Sequence, residues 1–219
     1  LLPTLSDVAS IYGHCAGSFG MRRLDQSILD DYLLMTGQKL SLNGYLKYQG
    51  KSSAYQKSHP LASYNLKKDK VITSVFNSEE HFSGRLLGGC LDILSLICGT
   101  QYDKVKEFNA RYKDDGVIWF LEACDLNPQS IRRVLLQLKY AGWFETAKGF
   151  LIGRSANAFN MEEFGLNRIN AIDVLKDLNV PILIDVDLGH IPPTMPLICG
   201  AVGVVDYKNN DLKIEMLVK

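Results

Sequence analysis

Two predicted strand ends in this sequence carry side chains that can move protons. His190 follows the largely apolar residues 180–186 and stands in a loop between Gly189 and two prolines. Glu122 directly follows residues 117–121, a second run of large apolar side chains. Such runs are typical of strands buried on both faces of a sheet, which end on the ligand side of an α/β fold. A carboxylate and an imidazole placed there are the usual pair for general acid–base chemistry.

Each of these residues also has a structural interpretation. Glu122 could cap the following helix or pair with Arg132 or Arg133, and a loop histidine such as His190 is often a bystander. Cys124 lies two residues beyond Glu122, at the end of a run of apolar residues. We therefore expect Cys124 to be a core thiol and not a nucleophile.

Composition indicates a globular chain that forms one large domain or two small ones. The 219 residues are 47% hydrophobic and 22% charged, which is enough for a sizeable core. The 24 basic and 24 acidic residues give a formal net charge of zero, so we expect neither nucleic acid nor a membrane surface as a partner. The five cysteines form no CxxC pair, which favours free thiols in a reducing compartment and predicts a cytoplasmic location.

The first 83 residues differ from the rest of the chain in their pattern of polar and apolar residues. Residues 1–50 are predicted to be helical with loops, including a helix over residues 27–35 that stops near Gly37. Residues 49–81 are polar, with one predicted strand over residues 70–76. This stretch is either a lid or specificity loop over a site or a mobile surface loop.

From residue 84 onward, strand and helix signals alternate, which predicts an α/β fold with a mixed sheet flanked by helices. Pro128 suits the first turn of a helix that begins at Asn127. The predicted elements of this part are helices over residues 91–97, 127–139 and 167–178, and strands over residues 117–121, 150–153, 180–186, 201–206 and 211–217.

Five blocks, in this order, resemble the C-terminal half of the serine LD-carboxypeptidase family, which also contains the microcin immunity proteins. The blocks are residues 84–100 with their Gly-Gly pair, Phe120-Leu121-Glu122, residues 131–144, residues 149–154, and Gly189-His190. The resemblance covers residues 84–217 well and the first 80 loosely. It implies a two-domain hydrolase whose C-terminal domain is residues 84–219, preceded by a linker or partial N-terminal region over residues 1–83.

The resemblance also implies a Ser-Glu-His triad in which Glu122 and His190 occupy the catalytic positions of the C-terminal domain. By triad logic, His190 takes the proton of the serine and later protonates the leaving amine, while Glu122 fixes the tautomer. The resemblance implies a reaction with no metal or organic cofactor. The remaining histidines, His14, His59 and His81, have no partners at metal-ligand spacing.

The nucleophile departs from the family pattern, because no serine here matches the family's glycine-flanked position fully. Leu1-Leu2-Pro3 resembles the segment just beyond that serine, so we expect the nucleophile before Leu1 and the chain, which lacks an initiator Met, to be a fragment. Ser18 has small neighbours, but a plain loop serine is favoured because no strand is predicted before it. Cys90 stands where the family usually has Asn. The thiol changes any hydrogen bond that the amide would make there and, through it, the activity.

Three functions follow as hypotheses. The first is hydrolysis of the amide before a C-terminal D-amino acid in murein peptides. The resemblance also implies that the protein is a homodimer. The second is a microcin-immunity-type amidase on aminoacyl-nucleotide conjugates, which would use an aromatic side chain for the base; Tyr48, Tyr55 and Tyr64 are available. The third is a non-catalytic module that binds peptide or assembles with a partner.

Overall fold

The computed structural model describes residues 2–6, 8–50, 59 and 61–218. Within them, the strands β1 to β14 are, in chain order, Ser10–Tyr12, Ser41–Asn43, Lys47–Tyr48, Lys68–Asp69, Thr73–Ser74, Glu79–Cys90, Val117–Glu122, Ala147–Gly153, Glu162–Glu163, Leu166–Asn167, Ile182–Val186, Leu197–Cys199, Val202–Lys208 and Asp211–Leu217. The helices α1 to α5 are Leu2–Ser6, Gln26–Met35, Leu91–Ile97, Val105–Arg111 and Pro128–Tyr140. Three 3₁₀ helices are Ala16–Gly20, Ala158–Asn160 and Asn170–Leu178.

An eight-stranded mixed sheet lies at the centre, in the order β2-β14-β13-β6-β7-β8-β11-β5. The four strands β6, β7, β8 and β11 are parallel, so their carboxyl ends lie at one edge. The strands on both sides of this group pair antiparallel. The fold class predicted from the sequence, an α/β fold with a mixed sheet flanked by helices, is therefore confirmed.

The sheet is anchored by an aromatic core around β7, whose six residues are all buried. The ring of Trp119, in the middle of β7, stacks on Trp143 with centroids 5.7 Å apart. Phe144 meets Trp119 edge-on at 5.2 Å. Truncating a buried ring of this size typically costs about 3–5 kcal/mol, so β7 is held firmly in its place.

Local signals at the ends of α5 and of the last hairpin are confirmed. The side chain of Asn127 caps α5 by accepting a hydrogen bond from the backbone N–H of Ser130 at 2.9 Å. β13 and β14 are joined by Asn209 and Asn210, whose φ values of 50° and 69° are both positive. Asparagine tolerates this left-handed region, and two such residues match the twist of a hairpin.

Two predicted elements are wrong in detail. Residues 70–76 do not form one strand, because the backbone N–H of Ile72 bonds to the side chain of Asn210 at 2.7 Å instead of to a neighbouring strand. Within the segment only Thr73–Ser74, β5, is a strand, and the other short strand nearby, β4, ends before it at Asp69. The helix predicted over residues 167–178 begins only at Asn170 and is a 3₁₀ helix, because the side chain of Asn167 accepts from two backbone N–H groups in a turn.

Residues 1–50 are less helical than predicted. They contain β1, β2 and β3, of which β2 joins the main sheet. The sequence also gave no prediction of α4. The division of the chain after residue 83 stays a prediction, and residues 51–58 of the predicted lid or surface loop, with Tyr55, lie outside the described residues. Where the structure describes the chain, no helix has the length and apolar character needed to cross a bilayer.

Candidate active site

The side chains of Glu122 and His190 meet at the carboxyl edge of the parallel strands. Oε2 of Glu122 lies 2.9 Å from Nδ1 of His190, although the residues are 68 positions apart in sequence. Glu122 is the last residue of β7, and His190 follows β11 in a loop. β8 lies between these two strands. The fold thus brings together the two residues that the sequence predicted as acid and base.

Both oxygens of the Glu122 carboxylate have hydrogen-bond donors. The carboxylate is buried, and the hydroxyl of Tyr12 donates to Oε1 at 2.7 Å. The arginines considered as partners point elsewhere: Arg132 donates to a backbone carbonyl and Arg133 to a glutamine of its own helix. Glu122 is therefore not held by an arginine, and its contacts are with a phenol and an imidazole.

Two glycines leave the space in which Glu122 meets His190. Gly189 has a φ of +89°, and a Cβ there would lie 2.4 Å from Oε2 of Glu122. Gly153 ends β8, and a Cβ there would lie 2.6 Å from the backbone oxygen of Leu188 and 3.0 Å from Cβ of Glu122. A side chain at either glycine would fill the space beside β8 in which the Glu122 carboxylate approaches the His190 loop.

The His190 loop is fixed at both ends by polar contacts. The hydroxyl of Thr194 donates to the backbone oxygen of Gly189 at 2.6 Å. Before His190, the fully buried carboxylate of Asp187 pairs with the guanidinium of Arg154. Burial raises the pKa of Asp187, and the neighbouring Arg154 opposes that rise. A buried pair of this kind holds the loop because losing one partner leaves the other charge uncompensated.

The electrostatics of His190 suit a general base. Its hydrogen bond to Glu122 raises its pKa above the usual range, while partial desolvation opposes the rise. The side chain is 46% exposed, and among the described residues its Nε2 has no hydrogen-bond partner. A proton on Nδ1, directed at the carboxylate, leaves the lone pair of Nε2 available to accept a proton.

A cleft of about 490 Å³ opens beside His190. Its lining residues are Tyr12, Gly13, His14, Cys15, Ser18, Met21, Tyr64, Cys124, Gly189, His190, Pro192 and Thr194. The prediction that Cys124 is a core thiol is wrong, because Cys124 lies two residues beyond the last residue of β7 and lines the cleft. Burial, followed by the nearby Asp125, raises the pKa of Cys124 to about 11, so this thiol stays protonated near neutral pH.

Comparison with known proteins assigns the family. The profile of the LD-carboxypeptidase C-terminal domain matches residues 83–205, more than half of the chain. The chain belongs to the LD-carboxypeptidase family. This is a family of peptidases, and the match spans both Glu122 and His190.

The proteins that this chain is similar to include carboxypeptidases and microcin-immunity-like proteins. A protein of Vibrio cholerae serotype O1, named "Putative carboxypeptidase", is 28% identical over 134 residues. Among solved structures, an MccF-like protein from Streptococcus pneumoniae in complex with AMP is 21% identical with a TM-score of 0.73 and covers 98% of this chain. A muramoyltetrapeptide carboxypeptidase from Oxalobacter formigenes is 18% identical, with a TM-score of 0.66 and 96% coverage. At these identities the two structures show the shared fold.

The chain spans only part of these relatives. The alignment with the Vibrio protein covers 61% of this chain and 38% of that protein. It covers 65% of the Streptococcus structure and 61% of the Oxalobacter structure. What the whole proteins of this family do is therefore carried over to this chain only as a proposal.

Cys90, at the position where the resemblance leads us to expect Asn, is a thiol that faces the acid. Cys90 lies opposite Glu122 in the register of β6 and β7, and its Sγ donates to Asp92 at 3.3 Å. Burial, then the charge of Glu122, raises the pKa of Cys90. Asp92 in turn accepts from the backbone N–H groups of Cys124 and Asp125, at 3.0 and 2.9 Å. This network fixes the backbone that follows Glu122.

Ser18 lies in the cleft but not in the arrangement of a nucleophile. It is on the 3₁₀ helix Ala16–Gly20, six residues after the end of β1, so no strand leads directly into it. Its Oγ lies 3.7 Å from Sγ of Cys15. Among the described residues, no serine hydroxyl hydrogen-bonds to His190. Ser18 therefore lies in a short 3₁₀ helix and not in a plain loop, and its side chain is buried at the cleft wall.

Two other histidines, His14 and His81, each lie beside one carboxylate. Nδ1 of His14 lies 3.1 Å from Asp31, and Nδ1 of His81 lies 2.6 Å from Asp206. No group of three or more His, Cys, Asp or Glu side chains within the described ranges is placed to hold a metal ion.

Tyr12 is the site residue that the sequence analysis missed. It stands in a three-residue strand, 110 positions before Glu122. A single tyrosine in a short polar segment carries no periodic signal, so only the pairing of β1 with β12 reveals where its side chain lies.

Proposed function

We propose that this chain supplies the Glu-His part of a Ser-Glu-His triad in a cytoplasmic hydrolase that cleaves the amide before a C-terminal D-amino acid in murein peptides. Membership of the LD-carboxypeptidase family supports this reaction class. The observation that carries the proposal is the contact between Nδ1 of His190 and the buried carboxylate of Glu122 at 2.9 Å. The proposal needs no metal or organic cofactor.

The proposed mechanism follows from this contact. His190 accepts the hydroxyl proton at Nε2 as the nucleophile attacks the scissile carbonyl, and Glu122 stabilises the imidazolium that forms. The same proton then passes to the amine of the departing D-amino acid, leaving an acyl-enzyme. Water, activated again by His190, releases the shortened peptide. We place the nucleophilic serine in the part of the relatives that this chain does not span.

The first experiment measures hydrolysis of an L,D-tetrapeptide by the full-length gene product. Release of the terminal D-amino acid is followed by mass spectrometry for the wild type, His190→Ala and the control His81→Ala. His81 is an exposed histidine with its own carboxylate partner, far from the cleft. We expect His190→Ala to lose nearly all activity and His81→Ala to keep it. Equal activity of the two variants would remove His190 from the mechanism.

A second experiment locates the nucleophile. A fluorophosphonate probe labels activated serines, and peptide mapping of the full-length protein identifies the labelled residue. We expect one labelled serine outside this chain, with labelling abolished by His190→Ala. If a folded full-length protein binds the tetrapeptide but shows neither labelling nor hydrolysis, the non-catalytic peptide-binding module replaces this proposal.

A second candidate function is the amidase on aminoacyl-nucleotide conjugates. One observation favours it: Tyr64 lines the same cleft as His190 and offers an aromatic face for a base. Tyr48 is instead packed against Phe159 and the guanidinium of Arg154. Faster turnover of a nucleotide-linked aminoacyl amide than of the tetrapeptide, reduced by Tyr64→Leu, would establish this function. The homodimer that the family resemblance implies is checked by sedimentation of the full-length protein.

A further inference from the structure

The hydroxyl of Tyr12 reaches Glu122 from a different part of the fold. β1 pairs antiparallel with β12 and places Tyr12 opposite Leu197. The tyrosine ring packs against Phe120 of β7, with centroids 5.3 Å apart. In this position the hydroxyl of Tyr12 donates to Oε1 of Glu122. A phenylalanine could make the same ring contact, so the packing by itself does not account for the hydroxyl.

A buried carboxylate with one donor is poorly fixed in orientation. The terminal torsion of glutamate is broad, so a single hydrogen bond leaves the plane of the group free to turn. Here the two oxygens are held from two directions, Oε1 by Tyr12 and Oε2 by His190. With Oε1 occupied, Oε2 remains directed at Nδ1.

We propose that Tyr12 is a positioning residue, whose hydroxyl holds the Glu122 carboxylate in the plane that keeps the His190 proton on Nδ1 and the lone pair of Nε2 toward the cleft. The inference rests on the function proposed above, because it assigns Tyr12 a role in that triad. Tyr12 acts through Glu122 and need not touch the substrate.

The state of the phenol supports this role. Burial, followed by the charge of Glu122, raises the pKa of Tyr12. The hydroxyl therefore remains a donor across the pH range in which His190 titrates. Replacing it by phenylalanine would leave Oε1 of Glu122 without this donor while preserving the ring.

The decisive test reads the tautomer of His190 directly. Two-bond ¹H–¹⁵N correlation spectra of the full-length protein, recorded above the pKa of His190, show which ring nitrogen carries the proton. We expect the wild type to carry it on Nδ1 and Tyr12→Phe to shift a large fraction to Nε2. Tyr45→Phe is the matched control, because the Tyr45 hydroxyl also donates to a buried carboxylate, Asp30, at 3.0 Å. Tyr45→Phe should leave the tautomer unchanged.

Activity of the full-length protein gives the second readout. Losing a hydrogen bond to a charged group should lower kcat for the tetrapeptide about tenfold in Tyr12→Phe, with KM unchanged. An unaltered tautomer in a folded Tyr12→Phe protein, checked by its thermal melt, overturns the proposal whatever its activity. If the wild type hydrolyses nothing, the proposed function fails, and the tautomer comparison still decides the role of Tyr12.

Discussion

Replacing Glu122 by Gln removes the charge beside His190 with almost no change of shape. A hydrogen bond to a charged group is worth about 1.5–3 kcal/mol. Since the His190 side chain is 46% exposed, solvent screens the charge and favours the lower end of that range. The hydrogen bond to Glu122 is the main cause of the raised pKa of His190, so we expect that pKa to fall in Glu122→Gln.

The same substitution should also reverse the tautomer. The Tyr12 hydroxyl needs an acceptor, so the amide oxygen of the new side chain takes the place of Oε1 and its NH₂ group faces Nδ1 of His190. Nδ1 must then accept, which moves the proton to Nε2 and blocks the base. A wrong tautomer in a triad costs on the order of 10⁴-fold in kcat.

Both effects can be measured separately. An NMR titration of this chain gives the pKa of His190, and hydrolysis of the tetrapeptide by the full-length protein gives kcat. Glu80→Gln is the matched control, because Glu80 is also buried and accepts from two side chains, at 3.0 and 3.1 Å, outside the cleft. If the pKa of His190 is the same in Glu122→Gln as in the wild type, the reasoning from the ion pair is refuted.

Three further predictions concern stability. Because the pKa of His190 is raised in the folded chain, its pair with Glu122 contributes stability that is fully present below the unfolded-state pKa of about 6.5 and is lost as the pH rises through the folded-state pKa. Urea unfolding of the wild type and His190→Ala should thus differ most at acidic pH, and a constant difference would contradict the linkage. Gly189→Ala should destabilise more than Gly165→Ala in thermal melts, since both glycines have positive φ but a Cβ clashes with Glu122 only at Gly189. Asp187→Ala leaves a buried guanidinium unpaired and should lower the free energy of unfolding by about 3–5 kcal/mol in urea titrations; a loss below about 1 kcal/mol would show that the pair is not needed.

The parts of the fold that the sequence predicts are those with strong local signals. The buried runs that became β7 and β11 and the capped helix α5 can be recognised within windows of a dozen residues. The placement of Glu122 and His190 at strand ends followed from the same runs, together with the rule that parallel strands end at one edge. Their contact across β8 also depended on glycines whose role becomes visible only in three dimensions.

The parts that the sequence did not predict depend on distant partners. The Asn210 side chain, 138 residues away, binds Ile72 and interrupts the strand expected there. Tyr12 reaches Glu122 from a strand of three residues, which is too short to show alternation. Cys124 lines the cleft just beyond the end of β7, and strand ends are the least predictable feature of a sequence.

Glu122 and His190 lie in parts of the molecule that we expect to differ in how readily they open locally. Glu122 ends the strand that holds the stacked Trp119, so we expect its backbone amide to exchange among the last, by global unfolding. His190 stands in a loop outside the sheet, and although the neighbouring Leu188 and Ile191 are fully buried, loops typically open at a lower free energy than core strands. Fluctuation in this cleft therefore moves the imidazole toward or away from a stationary carboxylate. Hydrogen exchange would resolve the two as separate cooperative units on either side of β8.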